Sequence, residues 1–249
     1  ELGVDFVAMS FVQSAADLRA ARSALRAAGT PHTSLIAKLE RPAAISRIDE
    51  ILDACDAVMV ARGDLGLELP LERVPRVQKE VIRKARSRGM PVIVATQVLD
   101  SMRTEPRPTR AEVSDAANAV DDGVDAIMLT GETAAGKFPV RAVQTLDLVI
   151  RDAELIPSRL VPLGKLDLLR RSGVALCEAA VTLGQHSQAA AIVAVTRSGR
   201  TARVLAALRP RVPVYAVTER PEVARMLSLA WGVRSIASTL TGDIDRSEE

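Results

Sequence analysis

The stretch Asp56-Ala-Val-Met-Val-Ala-Arg-Gly-Asp-Leu-Gly66 decides how this sequence folds. Its short apolar run, Val58-Met-Val60, is typical of a strand that is buried on both faces of a parallel sheet. The run ends in Arg62-Gly63-Asp64, where Gly63 permits a turn or a close approach of the backbone to a ligand. Because parallel α/β proteins carry out their chemistry at the carboxyl ends of the strands, Asp64 stands where a functional residue is expected.

Composition excludes several classes of function. The chain has 249 residues, of which 48% are hydrophobic and 26% charged, as in a globular protein of one or two domains. A net charge of +2 does not indicate a nucleic-acid partner, and an aromatic content of 2% disfavours stacking on bases. No apolar run is long enough to span a membrane and no signal peptide is visible, so we expect a cytoplasmic protein without a membrane partner.

Strand-like and helix-like segments alternate five times in the first part of the chain. The predicted strands cover residues 5–12, 34–38, 57–61, 91–95 and 126–129. This alternation predicts a parallel sheet, and right-handed crossovers bring every carboxyl end to one edge. Five units are too few to close a (β/α)8 TIM barrel, which needs eight, so we expect a partial barrel whose missing units precede Glu1.

A second, smaller pattern begins near residue 167. A helix, three strands and two further helices predict a doubly wound α/β domain there. Two prolines and a glycine before it indicate a linker. We therefore divide the chain into a partial barrel domain at 1–155, a linker at 156–166 and a truncated carboxyl-terminal domain of regulatory type at 167–249.

The predicted strands bring ionisable and hydroxyl side chains to one edge, where each admits two interpretations. Glu40 and Asp64 suit Mg²⁺ or Mn²⁺ with water and substrate oxygens, or each pairs with a basic neighbour such as Lys38 or Arg62. Lys38 lies two residues before Glu40, so both side chains project to the same face, where Lys38 either stabilises developing negative charge or forms only a salt bridge. Thr96 positions a proton or a water, or it is only a strand former or a helix cap.

The second domain contains a polar loop, Thr196-Arg-Ser-Gly-Arg-Thr201, before a helix. Ser198 and Gly199 lie at the helix start, and Arg200 and the hydroxyls of Thr196 and Thr201 flank them. This arrangement is a reasonable anion site, and an ordinary polar loop is the alternative.

Six stretches together resemble pyruvate kinase, and they run in that family's order through most of residues 5–155. They are Ile36-Ala-Lys-Leu-Glu40, Met59-Val-Ala-Arg-Gly-Asp-Leu-Gly66, Val94-Ala-Thr-Gln97, Pro106-Arg-Pro-Thr-Arg-Ala-Glu112, Ser114-Asp-Ala-Ala-Asn-Ala-Val120 and Ile127-Met-Leu-Thr-Gly-Glu-Thr133. Their combination is highly specific, although each piece alone is not. The second domain resembles the family's carboxyl-terminal regulatory domain more loosely.

The resemblance implies phosphoryl transfer from phosphoenolpyruvate to ADP, which gives pyruvate and ATP. Lys38 matches the lysine that steadies the transferring group and the enolate, and Glu40 and Asp64 match the ligands of Mg²⁺ or Mn²⁺. Thr96 matches a residue linked to protonation of the enolate carbon. The positions that match the substrate-binding pocket are Arg62, Gly63, Asp64 and Thr96.

The resemblance also implies that parts of the family's site lie outside this chain. The first three barrel strands, the lid domain, the K⁺ site and most nucleotide contacts are among them. We expect a homo-oligomer, a tetramer by family resemblance, when the protein is full length, and we expect this portion alone to be inactive. Residues 196–201 match the loop that holds an effector's phosphate in some members.

Two other functions stay open. A Mg²⁺-dependent lyase or aldolase acting on a pyruvate enolate also uses a Glu and an Asp at a barrel mouth, although Ala95-Thr-Gln97 and Pro108-Thr-Arg-Ala-Glu112 argue against it. A truncated, non-catalytic homologue that binds a phosphorylated metabolite or a partner chain is the other function, and the missing half barrel supports it.

Overall fold

The computed structural model of this chain describes residues 3–156 and 171–239. The chain divides into two compact units, Glu1–Lys165 and Leu166–Glu249, and each has its own parallel sheet. The predicted linker at 156–166 lies almost wholly outside the described residues, so its bounds stay a prediction. Within the described residues, no helix combines the length and the apolar character needed to cross a bilayer.

The first unit is built on a five-stranded sheet. Its strands are β1 (Phe6–Met9), β2 (Ser34–Leu39), β3 (Ala57–Ala61), β4 (Val92–Ala95) and β5 (Ala126–Met128). They lie side by side in chain order, and every neighbouring pair is parallel. Parallel strands in chain order with helical crossovers are the arrangement of a barrel segment, as the alternating pattern predicted.

The helices of the first unit pack on this sheet, and its central strand is buried along its whole length. They are α1 (Ala15–Ala27), α2 (Pro42–Ser46), α3 (Ile48–Leu52), α4 (Arg62–Glu68), α5 (Val74–Arg86), α6 (Arg110–Asp122), α7 (Gly131–Ala134) and α8 (Pro139–Ala153), with 3₁₀ helices at Leu71–Arg73 and Asp100–Arg103. Every residue of β3 is buried. Val58 and Val60 share a core with Leu18 of α1, Ile51 of α3 and Val81 of α5. The uninterrupted apolar run of β3 therefore has the double burial that it predicted.

Two elements of the first unit differ from the prediction. β1 ends at Met9, three residues early, because the backbone turns at Phe11, whose φ is 57°. Residues 62–64, predicted as a turn, form the start of α4. Gly63 and Gly66 make this short helix difficult to predict from the sequence, because glycine has a low helix propensity. Asp64 in the first turn favours the helix, since its negative charge interacts with the positive end of the helix dipole.

Aspartates tie the amino ends of neighbouring strands together. The Asp56 amide donates to the Leu35 carbonyl oxygen at 2.9 Å, and Asp56 Oδ2 accepts from the Leu35 amide at 2.8 Å. Asp125 makes the same two bonds with Val92, both at 2.9 Å. Because each pair satisfies a donor and an acceptor at a strand start, the two aspartates hold the strand register at the edge opposite the carboxyl ends.

The second unit carries a three-stranded parallel sheet. Its described elements are α9 (Arg171–His186), β6 (Ile192–Val195), α10 (Arg200–Ala207), β7 (Val214–Thr218), α11 (Pro221–Leu227) and β8 (Val233–Ala237), and the strands lie side by side in chain order. Ala216 of β7 packs with Ala202 of α10 and Val223 of α11. A smaller parallel α/β unit is thus present where the sequence predicted one.

Glu112 connects the start of α6 to the segment after β4. Its carboxylate accepts hydrogen bonds from the Thr109 amide at 2.7 Å and the Thr109 hydroxyl at 2.8 Å. It also accepts from the Ser101 amide at 2.8 Å and the Ser101 hydroxyl at 2.6 Å. Partial burial raises the pKa of Glu112, but the bonds from Ser101 and Thr109 outweigh burial, so the pKa lies below the ordinary value of 4.5.

We expect Glu112→Gln to lower the free energy of unfolding by about 1–2 kcal/mol at neutral pH, because three of these four bonds end on Oε2 and one on Oε1, and the NH₂ group that replaces either oxygen cannot accept from a backbone amide. A lowered folded-state pKa means that the carboxylate stabilises fully above its unfolded value and loses that effect as the pH falls through its folded value. Urea unfolding midpoints of wild type and variant should therefore differ at neutral pH and converge below pH 4.5.

Glu72→Gln is the matched control for this measurement. Glu72 is exposed and forms no side-chain hydrogen bond within the part of the chain that the structure describes. The control should unfold like wild type at each pH. A gap between Glu112→Gln and wild type that stays constant down to pH 3 (about 1.5 units below the ordinary value) would contradict the assigned role.

Candidate active site

Lys38 and Glu40 form an ion pair at the carboxyl end of β2. Lys38 Nζ lies 2.6 Å from Glu40 Oε1 and donates to Ser10 Oγ at 2.8 Å. Glu40 is 1% exposed, and its Oε2 accepts a hydrogen bond from the Phe11 amide at 2.6 Å. The salt bridge between Lys38 and Glu40, which was one of the two interpretations of Lys38 from the sequence, is therefore present. An ammonium group has three N–H donors and these contacts use two, so Lys38 keeps one donor for a ligand.

Arg62 binds a carboxylate that the sequence analysis did not assign to the site. Arg62 Nη1 lies 2.6 Å from Asp115 Oδ2 on α6, whereas the basic-neighbour interpretation paired Arg62 with Asp64. Arg62 Nη2 donates to two carbonyl oxygens, that of Thr96 at 3.1 Å and that of Gln97 at 2.7 Å. Arg62 is 8% exposed, so it acts as a buried brace between α4, α6 and the end of β4.

Asp64 is exposed in the first turn of α4. No side-chain hydrogen bond or ion pair engages its carboxylate among residues 3–156 and 171–239. Asp64 follows β3, and Glu40 directly follows the neighbouring strand β2. The described residues contain no group of three or more Asp, Glu, His or Cys side chains arranged for a metal ion. Two carboxylates that follow adjacent strands suit Mg²⁺, which takes one or two protein carboxylates and completes its shell with water and phosphate oxygens.

Thr96 and Gln97 follow β4 in an unusual backbone conformation. Their φ values are 68° and 51°, a left-handed region that costs a residue other than glycine about 1–2 kcal/mol. Thr96 Oγ1 accepts from the Gly63 amide at 2.8 Å and donates to the Ala95 carbonyl oxygen at 2.6 Å. A Cβ atom at Gly63 would lie 3.2 Å from Thr96 Oγ1, so glycine permits a close approach of the backbone to the Thr96 hydroxyl, whereas an approach to a ligand stays a prediction.

Glu132 is a buried carboxylate at the same edge to which the sequence analysis gave no role. It is 1% exposed, and its oxygens accept from the Leu99 amide at 3.1 Å and the Thr130 amide at 2.9 Å. Glu132 therefore ties the segment after β4 to the end of β5. Its position just past a predicted strand was the only signal available for it in the sequence.

The polar loop of the second unit folds around Thr196. Thr196 is buried, and its Oγ1 accepts from the Gly199 amide at 3.0 Å. Gly199 has φ 79° and precedes α10, whereas Ser198 and Arg200 are exposed. Thr201 lies in the first turn of α10 and is half-buried. Binding of an effector's phosphate by this loop stays a prediction.

Five parallel strands in chain order define a barrel-type α/β protein, and charged side chains lie at or just after the carboxyl ends of β2 and β3. Residues 1–143 match the family model described as pyruvate kinase, barrel domain, and residues 174–248 match the one described as pyruvate kinase, alpha/beta domain. The chain belongs to the pyruvate kinase family, which confirms the resemblance inferred from its motifs.

Curated relatives named pyruvate kinase agree with this assignment. The protein from Geobacillus stearothermophilus is 46% identical over 240 residues, which cover 93% of this chain and 40% of the relative. The one from Mycobacterium tuberculosis strain H37Rv is 49% identical over 234 residues, which cover 94% of this chain and 49% of the relative. The chain therefore spans about half the length, or less, of these relatives.

Proposed function

We propose that this chain provides the later barrel strands and the carboxyl-terminal domain of a pyruvate kinase. Such an enzyme transfers a phosphoryl group from phosphoenolpyruvate to ADP. The observation that carries the proposal is the Lys38–Glu40 pair at 2.6 Å at the end of β2, which pairs with β3, the strand that Asp64 follows. Charged groups of both signs at this edge suit a reaction in which a phosphoryl group moves between two anions.

Phosphoryl transfer depends on positioning and on neutralising charge. The phosphoryl group leaves the enolate oxygen of phosphoenolpyruvate and bonds to a terminal phosphate oxygen of ADP. Lys38 would donate its third N–H to the transferring group and then stabilise the enolate oxygen that remains. Glu40 and Asp64 would hold Mg²⁺ or Mn²⁺, which when bound neutralises phosphate charge and orients the oxygens.

The second half of the reaction is protonation of the enolate at its terminal carbon, which gives the methyl group of pyruvate. Thr96 supports this role because its hydroxyl is fixed by two hydrogen bonds, to the Gly63 amide and the Ala95 carbonyl. We infer that Thr96 positions the water or proton for this step. A K⁺ requirement, assembly as a homotetramer and a cytoplasmic location belong to the same proposal and rest on family membership.

A coupled assay tests the proposal. The full-length protein is here the natural chain that contains residues 1–249, whatever its length. We expect it to form pyruvate from phosphoenolpyruvate and ADP in the presence of Mg²⁺ and K⁺, and we expect the 249-residue chain alone to be inactive. A full-length protein that melts cooperatively but forms no pyruvate would overturn the proposal. That result would favour the non-catalytic homologue, whereas cleavage or condensation of a pyruvate enolate would favour the lyase or aldolase.

The metal assignment predicts that Asp64→Asn weakens Mn²⁺ binding by at least about tenfold, because loss of a direct ligand should cost at least as much as loss of an outer-shell contact. Free Mn²⁺ measured by electron paramagnetic resonance during titration of the full-length protein gives the dissociation constant. Asp147→Asn is the control, since Asp147 is an exposed carboxylate that pairs with Arg151. An Asp64→Asn isotherm that overlays the wild-type curve would remove Asp64 from the metal site.

A further inference from the structure

We propose that Asp115 is a positioning residue for the enolate-protonation step. It lies on α6 and acts through Arg62, which in turn holds Thr96 and Gln97 in their left-handed conformation. The inference rests on the proposed function, because the reaction assigned to Thr96 is part of that function. It adds a residue from outside the carboxyl edge to the site.

The backbone at Thr96 and Gln97 needs an external support. Two consecutive residues other than glycine with positive φ, 68° and 51°, are unfavourable by themselves, and they persist only when neighbouring groups over-determine the conformation. The backbone carbonyl oxygens of both residues accept hydrogen bonds from the same side chain. Arg62 Nη2 donates to Thr96 O at 3.1 Å and to Gln97 O at 2.7 Å, and Arg62 Nε donates to Thr96 O at 3.3 Å.

Asp115 determines which way the guanidinium of Arg62 faces. The fork of a guanidinium is planar, so a carboxylate bound at Nη1 fixes the directions of Nη2 and Nε as well. Asp115 Oδ2 lies 2.6 Å from Arg62 Nη1, and the Arg62 side chain is 9% exposed. Because this bond fixes the plane of a buried guanidinium, loss of the Asp115 oxygen leaves Arg62 Nη1 without its acceptor and lets the guanidinium turn.

The contacts of Asp115 indicate that it acts through Arg62 and not directly on the reacting atoms. Its side chain is 43% exposed, and the partner that it contacts is Arg62. Thr96 Oγ1 instead contacts Gly63 and Ala95. A change at Asp115 therefore reaches the Thr96 hydroxyl only through the guanidinium and the left-handed segment.

Two kinetic measurements on the full-length protein test the inference. One is the steady-state rate of pyruvate formation from phosphoenolpyruvate and ADP. The other is the exchange of pyruvate methyl protons with D₂O, followed by nuclear magnetic resonance. In that exchange a C–H bond of the methyl group breaks to give the enolate, and a C–D bond forms with a deuteron from solvent, so it reports the protonation step alone.

We expect Asp115→Ala to lower kcat and the exchange rate by about ten- to a hundredfold, with a smaller change in KM, because a misplaced reacting group costs rate rather than substrate binding. Asp115→Asn keeps an oxygen that can accept from Arg62 Nη1, so we expect it to recover most of the exchange rate. Asp147→Ala removes a carboxylate of comparable exposure, 53% against 43%, from the Asp147–Arg151 pair and should match wild type.

Three results would overturn the inference. The first is an Asp115→Ala protein with wild-type kcat and exchange. The second is a loss in Asp115→Ala that Asp147→Ala reproduces. The third is an Asp115→Asn protein that melts like wild type but exchanges as slowly as Asp115→Ala. Failure of the proposed function is distinguishable, because the wild-type protein itself would then form no pyruvate.

Discussion

Lys38→Met in the full-length protein is expected to lower kcat by at least about a hundredfold, with a much smaller change in KM for phosphoenolpyruvate. Methionine keeps an unbranched side chain of similar length but removes the positive charge beside Glu40 Oε1 and Ser10 Oγ. That charge is proposed to stabilise the enolate as it forms, so its loss raises the barrier more than it weakens substrate binding. Steady-state rates over a range of substrate concentrations separate the two constants.

Lys84→Met is the matched control. The Lys84 side chain is 22% exposed against 24% for Lys38, and each Nζ lies 2.6 Å from a carboxylate oxygen, but the partner of Lys84 is Asp49 at the outer helices. The control should keep kcat within about twofold, since a peripheral ion pair contributes little. Because Glu40 loses its buried partner in Lys38→Met, the variant is expected to be less stable, so its rates should be measured well below its melting temperature. A near-normal kcat would remove Lys38 from the mechanism.

Gly123→Ala is expected to lower the free energy of unfolding by about 2–4 kcal/mol, the sum of backbone strain and overpacking. Gly123 ends α6 with φ 92°, and a Cβ atom there would overlap Arg86 Nη1, a buried guanidinium that also donates to the Asp122 carbonyl oxygen at 3.3 Å. The variant must therefore displace Arg86 or distort the turn before β5. Urea unfolding monitored by far-ultraviolet circular dichroism measures the loss.

Gly29→Ala isolates the backbone contribution to this loss. Gly29 has φ 76°, and a Cβ atom there would have no heavy atom within 4 Å among the described residues. We expect Gly29→Ala to cost about 1 kcal/mol, the strain of the left-handed region without the clash. Equal losses in the two variants would show that the contact with Arg86 contributes nothing.

The fold of the first unit was predictable because its signals are local. Apolar runs marked all five strands. The errors came where local propensity opposes the structure. Glycines at 63 and 66 concealed α4, and the turn at Phe11 shortened β1 because a left-handed residue leaves no trace in hydrophobic periodicity.

The sequence indicated which side chains lie at the strand ends, but it did not indicate most of their contacts. Lys38 and Glu40, two residues apart at a strand end, were expected on one face and are in fact paired. The partner of Arg62 was not predictable, because Asp64 is two residues away whereas Asp115 is 53 residues away. Glu132 likewise binds the Leu99 amide across 33 residues. Such choices depend on how helices and strands pack, which no spacing in the sequence encodes.

The sequence by itself determined the parallel α/β class, the family and the side chains at the carboxyl edge, because periodicity, turn residues and motif order are properties of neighbouring residues. Only the tertiary structure decided that Arg62 binds Asp115, that its guanidinium holds the left-handed segment at Thr96 and Gln97, and that Glu40 is buried against Lys38. The physical reason is that a buried charge must find a partner in space, and the partner within reach is set by the packing of distant segments.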